Sequence, residues 1–377
     1  MKIAYIATSS IPSSTANSIQ VMKVCQALTQ LGHEAHLLLP GSGALNWDEL
    51  TKQYGLTTRF SITRIDSIKV LRRFDFILRA LDATKALKVD AVYTRMLWVA
   101  VIAQLRRVPV MLELHDVPAG RLGKPLFQRY LSSSSKKLTV LITRALGRVI
   151  EKRFALSIPE NSIVIAPDGV DDARYQSLPE PPQARAQLGF KEGLTAVYTG
   201  GFYKGRGLEL LVELAKEFPQ VQFLWVGGKP EAVAGWKTVI DNLKLDNIQL
   251  TGFIPNEKLP LYQAAGEILL MPFGKSVSGS SGGDTAEVCS PLKMFEYMAA
   301  GRAILTSDLP VLREVLNENN ALFYAIEDYE DLKAKFTLLL GDAELRNKLA
   351  SQARTDVAQY TWQERMQKVV KRFIEAS

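Results

Sequence analysis

Several short stretches of this chain place reactive side chains at spacings that suit chemistry. The first is Ser290-Pro291-Leu292-Lys293-Met294-Phe295-Glu296. Ser followed by Pro reads as a helix start, because the hydroxyl can cap a free backbone N–H and Pro gives up a donor that has no partner there. Lys293 then falls in the first turn, where a cation opposes the helix dipole. That placement makes sense when an anion sits there too, since free N–H groups and the dipole make a helix start an anion site. Glu296 lies among Leu292, Phe295, Met298 and Ala299, an apolar face where an unpaired carboxylate is costly. The ordinary alternative is a buried helix with a partly exposed Lys–Glu pair.

A second stretch, Gly200-Gly201-Phe202-Tyr203-Lys204-Gly205-Arg206-Gly207, brings Lys204 and Arg206 to one glycine-rich turn. Glycines let the backbone approach a ligand closely, and paired cations suit a pyrophosphate. Two further glycine turns contain Gly227-Gly228 and Gly252-Phe253-Ile254. In Glu113-Leu114-His115-Asp116, a histidine between carboxylates can hydrogen-bond a hydroxyl or stabilise developing charge. A solvated turn and a satisfied lone histidine are the plain alternatives.

The elements that must position these groups alternate along the chain. Lys2–Thr8, Glu34–Leu39, Asp90–Thr94, Val110–Glu113 and Ser162–Ala166 read as strands, with helices at Ser18–Leu31, 96–106 and 141–154. Ser132–Ser135 with Lys136 and Lys137 reads as a polar loop, and Pro167–Pro182 as a linker. The second half predicts strands at Thr195–Thr199, Gln222–Val226, Ile248–Leu250, Ile268–Met271, Ala303–Thr306 and Ala321–Tyr324, with helices between them and an amphipathic last helix from Thr361-Trp362. The expectation is a doubly wound α/β fold, twice over, with sites outside the C-terminal ends of the strands. Ile68–Lys88 carries Leu71, Phe74, Ile77, Leu78 and Leu81 at helical spacing among Lys69, Arg72, Arg73, Arg79, Lys85 and Lys88. Such a basic amphipathic helix can lie on an anionic membrane or pack on its own domain.

At 377 residues and 47% hydrophobic content the chain has room for two buried cores. The apolar start ends too soon for a signal peptide, no apolar run spans a bilayer, and the only cysteines are Cys25 and Cys289. A cytoplasmic, disulfide-free protein is expected. Three histidines and no Asp-x-Asp leave no zinc cluster and no divalent-metal clamp in view. Residues 1–170 carry 23 Lys and Arg against 12 Asp and Glu, and the remainder 23 against 27, so the first half favours an anionic partner. That half shows no aromatic–basic platform, which excludes nucleic acid. Gly-x-Gly-x-x-Gly is absent from the first turn, and Gly274-Lys275-Ser276 lacks the earlier glycine of a phosphate loop.

Pro291-Leu292-Lys293-x-Phe295-Glu296-Tyr297-Met298-Ala299-x-Gly301, followed by Ser307-Asp308-Leu309-Pro310 and Arg313-Glu314, resembles the donor-site signature of the family 4 retaining glycosyltransferases. The resemblance implies the GT-B architecture: two doubly wound Rossmann-like domains facing across a cleft. Residues 1–170, with 361–377 crossing back, would form the acceptor domain, and 171–360 the nucleotide-sugar domain. It further implies that the helix start at Ser290, Pro291, Leu292 and Lys293 receives the donor pyrophosphate, that Glu296 holds the ribose hydroxyls, and that Arg206 neutralises the leaving group. Gly201, Lys204, Gly228, Phe253 and Ile254 would complete the nucleotide site. Gly201 stands where many members have His or Arg. A second family Glu, eight residues before Glu296, is replaced by Val288, leaving Asp284 or Glu287 to take its contact with the donor sugar. His115 matches a histidine that contacts that sugar, and Thr15, Asn17 and Arg95 would face the acceptor.

The implied activity is metal-independent transfer of a hexosyl unit, without a cofactor, from a UDP- or GDP-sugar to a hydroxyl of a glycan, glycolipid or lipid-linked acceptor. An anionic membrane surface is a candidate partner, which would make the protein peripheral at the inner face of a membrane. A non-catalytic nucleotide-sugar binder and a GT-B sugar epimerase are the alternatives.

Overall fold

The computed structural model describes residues 1–68, 74–278 and 283–376, and these form two compact units: Met1–Asp168 with Trp362–Ser377, and Gly169–Thr361. The first unit alternates β1 (Lys2–Ile6), α1 (Ala16–Gln30), β2 (Glu34–Pro40), α2 (Trp47–Tyr54), β3 (Ser61–Ile65), α3 (Phe74–Leu87), β4 (Ala91–Thr94), α4 (Leu97–Leu105), β5 (Val110–Leu114), α5 (Gly123–Leu131), β6 (Lys137–Leu141), α6 (Arg144–Phe154) and β7 (Ile163–Ile165). Its seven strands pair in parallel in the order β3-β2-β1-β4-β5-β6-β7. Strands such as Lys-Ile-Ala-Tyr-Ile are nearly continuous apolar runs, as a parallel sheet covered on both faces requires. The order reverses between β1 and β4, so the loops leaving these strands flank a crevice at the sheet's C-terminal edge. Those loops carry Thr15 and Arg95, Asn17 follows in the first turn of α1, and β5 beside them runs out at His115.

The second unit holds α7 (Pro181–Leu188), β8 (Thr195–Thr199), α8 (Leu208–Glu217), β9 (Gln222–Val226), α9 (Pro230–Asn242), β10 (Ile248–Gly252), α10 (Leu259–Ala264), β11 (Ile268–Met271), α11 (Leu292–Ala300), β12 (Ala303–Ser307), β13 (Leu322–Tyr324), α12 (Tyr329–Gly341) and α13 (Ala343–Asp356). Six parallel strands run β10-β9-β8-β11-β12-β13, reversing between β8 and β11. The loops leaving those two strands are 200–207 and 272–291. One core cluster joins Phe223 and Trp225 to Leu305 and Phe336. Helix α14 (Trp362–Glu375) returns to the first unit and packs on α1 and β6. It buries Trp362, Met366, Val369, Val370 and Phe373, one stripe of a 3.6-residue period, and with them Arg365.

Several expectations need correction. Lys137 opens β6 rather than closing a polar loop. Leu138, Val140 and Leu141 are buried between β5 and β7, and two lysines at the strand's leading edge disguise it. Helix α6 therefore begins at Arg144, not 141. The expected linker Pro167–Pro182 contains the boundary between the two units, at Asp168 and Gly169, and it is packed: Val170 bridges to Thr361, and Asp172 pairs with Arg354. Helices α2, α5, α7 and α10 and strand β3 were not expected. On α3, Phe76, Ile77, Ala80 and Leu81 pack inward, while Phe74 and Leu78 are exposed beside Arg79 and Lys85. Lys69, Leu71, Arg72 and Arg73 of that expected helix lie outside the described residues. Among the described residues no helix is long and apolar enough to cross a membrane.

Candidate active site

The candidate residues fall into two groups, one in each unit. In the second unit, α11 starts one residue later than expected: Pro291 is itself the N-cap (φ −76°, ψ 126°) and has no oxygen to cap with. The N–H groups of Leu292 and Lys293 begin the helix without intrahelical partners. Lys293 is 8% exposed. Its ammonium lies 3.8 Å from the Tyr198 ring centre and 5.3 Å from that of Phe273, and its Nζ meets no hydrogen-bond acceptor. Arg206 stacks on the other aromatic partner, 4.8 Å from the Phe273 ring, and donates through Nη2 to Ser278 O at 3.2 Å, while its buried Nε has no partner. Burial, and then the positive charge of Arg206, hold the Lys293 ammonium well below the usual lysine range, with Glu296 opposing. The two cations thus share an aromatic neighbour, Phe273, and among the described residues neither makes an ion pair with a carboxylate.

Glu296 accepts from Gln263 Nε2 at 3.2 Å. Burial pushes its carboxyl up, against the pull of Arg174, Gln263 and Lys293. Arg174 is itself fixed by Asn256, donating to Oδ1 at 2.6 Å and to its carbonyl oxygen. The glycine loop is moulded to its neighbours. Gly205 (φ +78°) and Gly207 (φ +71°) are left-handed, and a Cβ on either would overlap a carbonyl, of Ser276 or Pro272 respectively. Only glycine meets both demands. At Gly201 the Tyr203 ring fills the space a side chain would need. Lys204 is exposed and accepts from Ser278 N through its carbonyl. Gly228 lies under Phe202, Phe253 is exposed, and Ile254 is half-buried.

The candidates for the missing sugar contact differ. Asp284 Oδ1 accepts from Val277 N at 2.9 Å and Ala286 N at 3.0 Å, and these backbone donors hold its carboxyl below the usual range. Its first task is to close the loop. Glu287 is exposed, and Val288 is buried at 4%.

In the first unit, Thr15 caps α1, accepting from Ser18 N at 3.3 Å, and Asn17 Oδ1 accepts from Arg95 Nη1 at 2.6 Å. Arg95 and His115 line one pocket of about 310 Å³, whose wall is otherwise largely apolar, with Leu97, Trp98, Leu122 and Leu126. Beneath His115 lies a group the sequence reading missed. Glu113, fully buried on β5, receives Gln20 Nε2 at 2.6 Å, Arg365 Nη2 at 2.8 Å, the Tyr93 hydroxyl and His115 Nε2. Burial alone would raise this carboxyl, but Arg365 and His115 outweigh it and hold it far below the usual range. Asp168 is also buried here, and burial pushes its carboxyl up. Glu113, His115 and Asp168 offer ligand atoms within 4.8 Å of one another, a trio not visible in the spacing of the chain. The Arg365 guanidinium, however, already brings to Glu113 the positive charge a metal ion would supply.

Two parallel, doubly wound sheets, with the candidate side chains at their switch points, define a two-domain Rossmann-like α/β protein. Residues 181–356 match the model of "Glycosyl transferases group 1", and residues 18–174 that of "Glycosyltransferase Family 4". Together they span most of the chain, which belongs to the GT-B glycosyltransferases of the family 4 type. Its curated relatives include a putative teichuronic acid biosynthesis glycosyltransferase of Bacillus subtilis, 29% identical over 38% of this chain and 34% of that protein. Another is the α-galactosylglucosyldiacylglycerol synthase of Streptococcus pneumoniae, 24% identical over 59% of this chain. This match spans 64% of the synthase's length, so the chain covers less than two thirds of either relative. Among solved structures, HepE of Anabaena in complex with UDP shares the fold, with a TM-score of 0.75 at 15% identity over 98% of this chain and 99% of that one.

Proposed function

We propose that the protein is a retaining glycosyltransferase that moves a hexosyl unit from a UDP- or GDP-sugar to a hydroxyl of a glycan, glycolipid or lipid-linked acceptor, without a metal ion. The observation that carries this reading is a pair of cations, the buried Lys293 and the half-buried Arg206, each with a buried unpartnered nitrogen, at the start of a helix beside a parallel-sheet switch point. A diphosphate supplies the acceptors both cations lack, and α11 adds its free N–H groups. Glu296 takes the ribose hydroxyls. The C1–O bond of the donor breaks as negative charge collects on the leaving diphosphate. The acceptor oxygen bonds to C1 from the same face, and its proton passes to a phosphate oxygen. Stabilising the leaving group supplies most of the rate.

In this reading the first unit binds the acceptor. The aliphatic wall beside Arg95 and His115 favours a molecule that pairs a hydroxyl with an apolar segment, in keeping with the diacylglycerol glycolipid in the name of the pneumococcal relative. The excess of basic residues in the first half favours an anionic membrane surface as its source. Val288 in place of the family's second Glu supports one other reading, a protein that binds the nucleotide sugar without transferring it. The two part in one experiment: UDP-, GDP- and ADP-sugars are incubated with the protein in EDTA, with and without a lipid acceptor, and nucleotide release is measured beside Glu296→Ala. Release from one donor, lost in the variant, is expected. Tight binding with no release under any acceptor would leave the non-transferring reading standing.

A further inference from the structure

We propose that Glu113 and Arg365 are positioning residues that fix the tautomer and orientation of His115, so that its Nδ1 is the nitrogen offered to the substrate. Each of the four hydrogen-bond partners of the Glu113 carboxylate acts as a donor, and Asp168, the other carboxyl nearby, lies within 4.8 Å. Arg365 has only N–H groups, Gln20 presents its amide nitrogen because its oxygen accepts from the Tyr5 hydroxyl at 3.2 Å, and Tyr93 gives its hydroxyl proton. A carboxylate so surrounded keeps no proton of its own, and it can only accept from His115. The histidine proton therefore resides on Nε2, and in the neutral ring Nδ1 carries the lone pair. His115 and Glu113 line the same pocket, and the His115 side chain is 18% exposed, so with Nε2 given to Glu113, Nδ1 is assigned to a ligand hydroxyl, with the buried Asp168 carboxyl close by.

Arg365 reaches this point from the last helix of the chain. Its Nε donates to Pro167 O at 2.8 Å and its Nη1 to Tyr93 OH at 3.4 Å, which leaves Nη2 aimed at Glu113. Arg365 is 4% exposed and makes its ion pair with a carboxylate that is fully buried. Replacing either partner alone leaves a buried charge uncompensated. The arrangement repeats the logic by which a buried carboxylate orients an imidazole in a hydrolase triad, with Arg365 as the group that keeps the carboxylate ionised.

The role assigned to His115 in transfer rests on the function proposed above, but the tautomer does not, so the test reads them separately. The full chain labelled with ¹⁵N-histidine has three imidazoles, of His33, His36 and His115, and His115→Gln identifies the third by subtraction. In the neutral ring, two-bond ¹H–¹⁵N couplings are expected to report the Nε2–H form for His115. Glu113→Gln, whose amide can donate to the ring, is expected to shift the ring toward Nδ1–H. With an active donor–acceptor pair, that variant should lose about 100-fold or more in kcat while KM for the donor stays within about 2-fold. Should Glu113→Gln not fold, Glu113→Gln/Arg365→Gln, which removes both charges, carries the same readouts. An Nδ1–H form in the wild type, or a folded variant with the wild-type tautomer and kcat, overturns the proposal. An Nε2–H form in a chain that transfers no sugar would leave the positioning intact and remove the transferase reading instead.

Discussion

Replacing Lys293 by Met separates a lysine kept for a ligand from one kept for packing. In the unliganded protein its ammonium is buried, meets no acceptor and is repelled by Arg206. The rings of Tyr198 and Phe273 return about 1–2 kcal/mol of cation–π attraction at such desolvated positions. Taking an ion out of water costs several kcal/mol, so desolvation wins. Methionine keeps an unbranched chain in contact with the same rings and carries no charge. Lys293→Met should therefore stabilise the unliganded protein by about 1 kcal/mol, a rise of roughly 2–4 °C in Tm for a domain of this size. The same change removes a charge-assisted bond to the diphosphate, about 1.5–3 kcal/mol. At about 1.4 kcal/mol per decade, nucleotide affinity should fall roughly 10- to 150-fold. Thermal melts with and without UDP or GDP, joined to titration calorimetry, read both quantities. A variant that melts lower than the wild type and binds nucleotide equally well would refute the reasoning, because it would make Lys293 a packing residue.

Gly205→Ala forces a left-handed alanine against the Ser276 carbonyl and should cost more than about 1 kcal/mol together with nucleotide affinity, whereas Gly235→Ala on α9, with open space around it, should be neutral or gain up to about 1 kcal/mol. Melting curves of the two variants check this, and equal losses would count against a moulded loop. Nucleotide affinity should weaken toward both acid and alkali. Glu296, raised by burial, must be ionised to accept from ribose, so binding is lost as pH falls through its pKa. Lys293, lowered by burial, must be protonated to meet phosphate, so binding is lost as pH rises through its pKa. Calorimetry across pH should find the acid limb flattened in Glu296→Gln and the alkaline limb in Lys293→Met, and limbs that survive both substitutions would assign the titrations elsewhere. His115→Ala should lower transfer while nucleotide affinity holds, and Glu296→Ala should weaken nucleotide affinity itself, read by calorimetry with UDP or GDP. The chain should pellet with anionic but not neutral vesicles at low salt, and equal pelleting with both would remove the membrane as a partner.

What could be read from the sequence was local. A lysine in a first turn, a glutamate one turn later and glycines after a strand are signals carried within a dozen residues, and the structure places Lys293, Arg206 and Glu296 in one unit around α11. The cap was misjudged because Ser-Pro permits two helix starts, and the chain takes the later one. Strand β6 hid because Lys136 and Lys137 look like loop, although the Lys137 stem is half-buried and its ammonium donates to Ser133 O. The Glu113 cluster could not be found by spacing at all. Gln20, Tyr93, Glu113 and Arg365 come from four elements up to 345 positions apart, and only the sheet order brings them together. Arg365 in particular reads as the solvated face of an amphipathic helix. A buried Gln in the apolar stripe of α1 and a Glu within an apolar strand were the available hints, since each needs a partner when buried.

The return of α14 also sets a clock on the nascent chain. All seven strands of the first unit leave the ribosome before the second unit is made, and Arg365 emerges only after it. At about 5–20 residues per second, some 200 intervening residues take roughly 10–40 s. Through that interval Glu113 has no guanidinium, so the early sheet must hold its carboxyl hydrated or protonated, and Trp362, Met366 and Phe373 have not yet covered α1 and β6. The first half to be synthesised is the last to be finished.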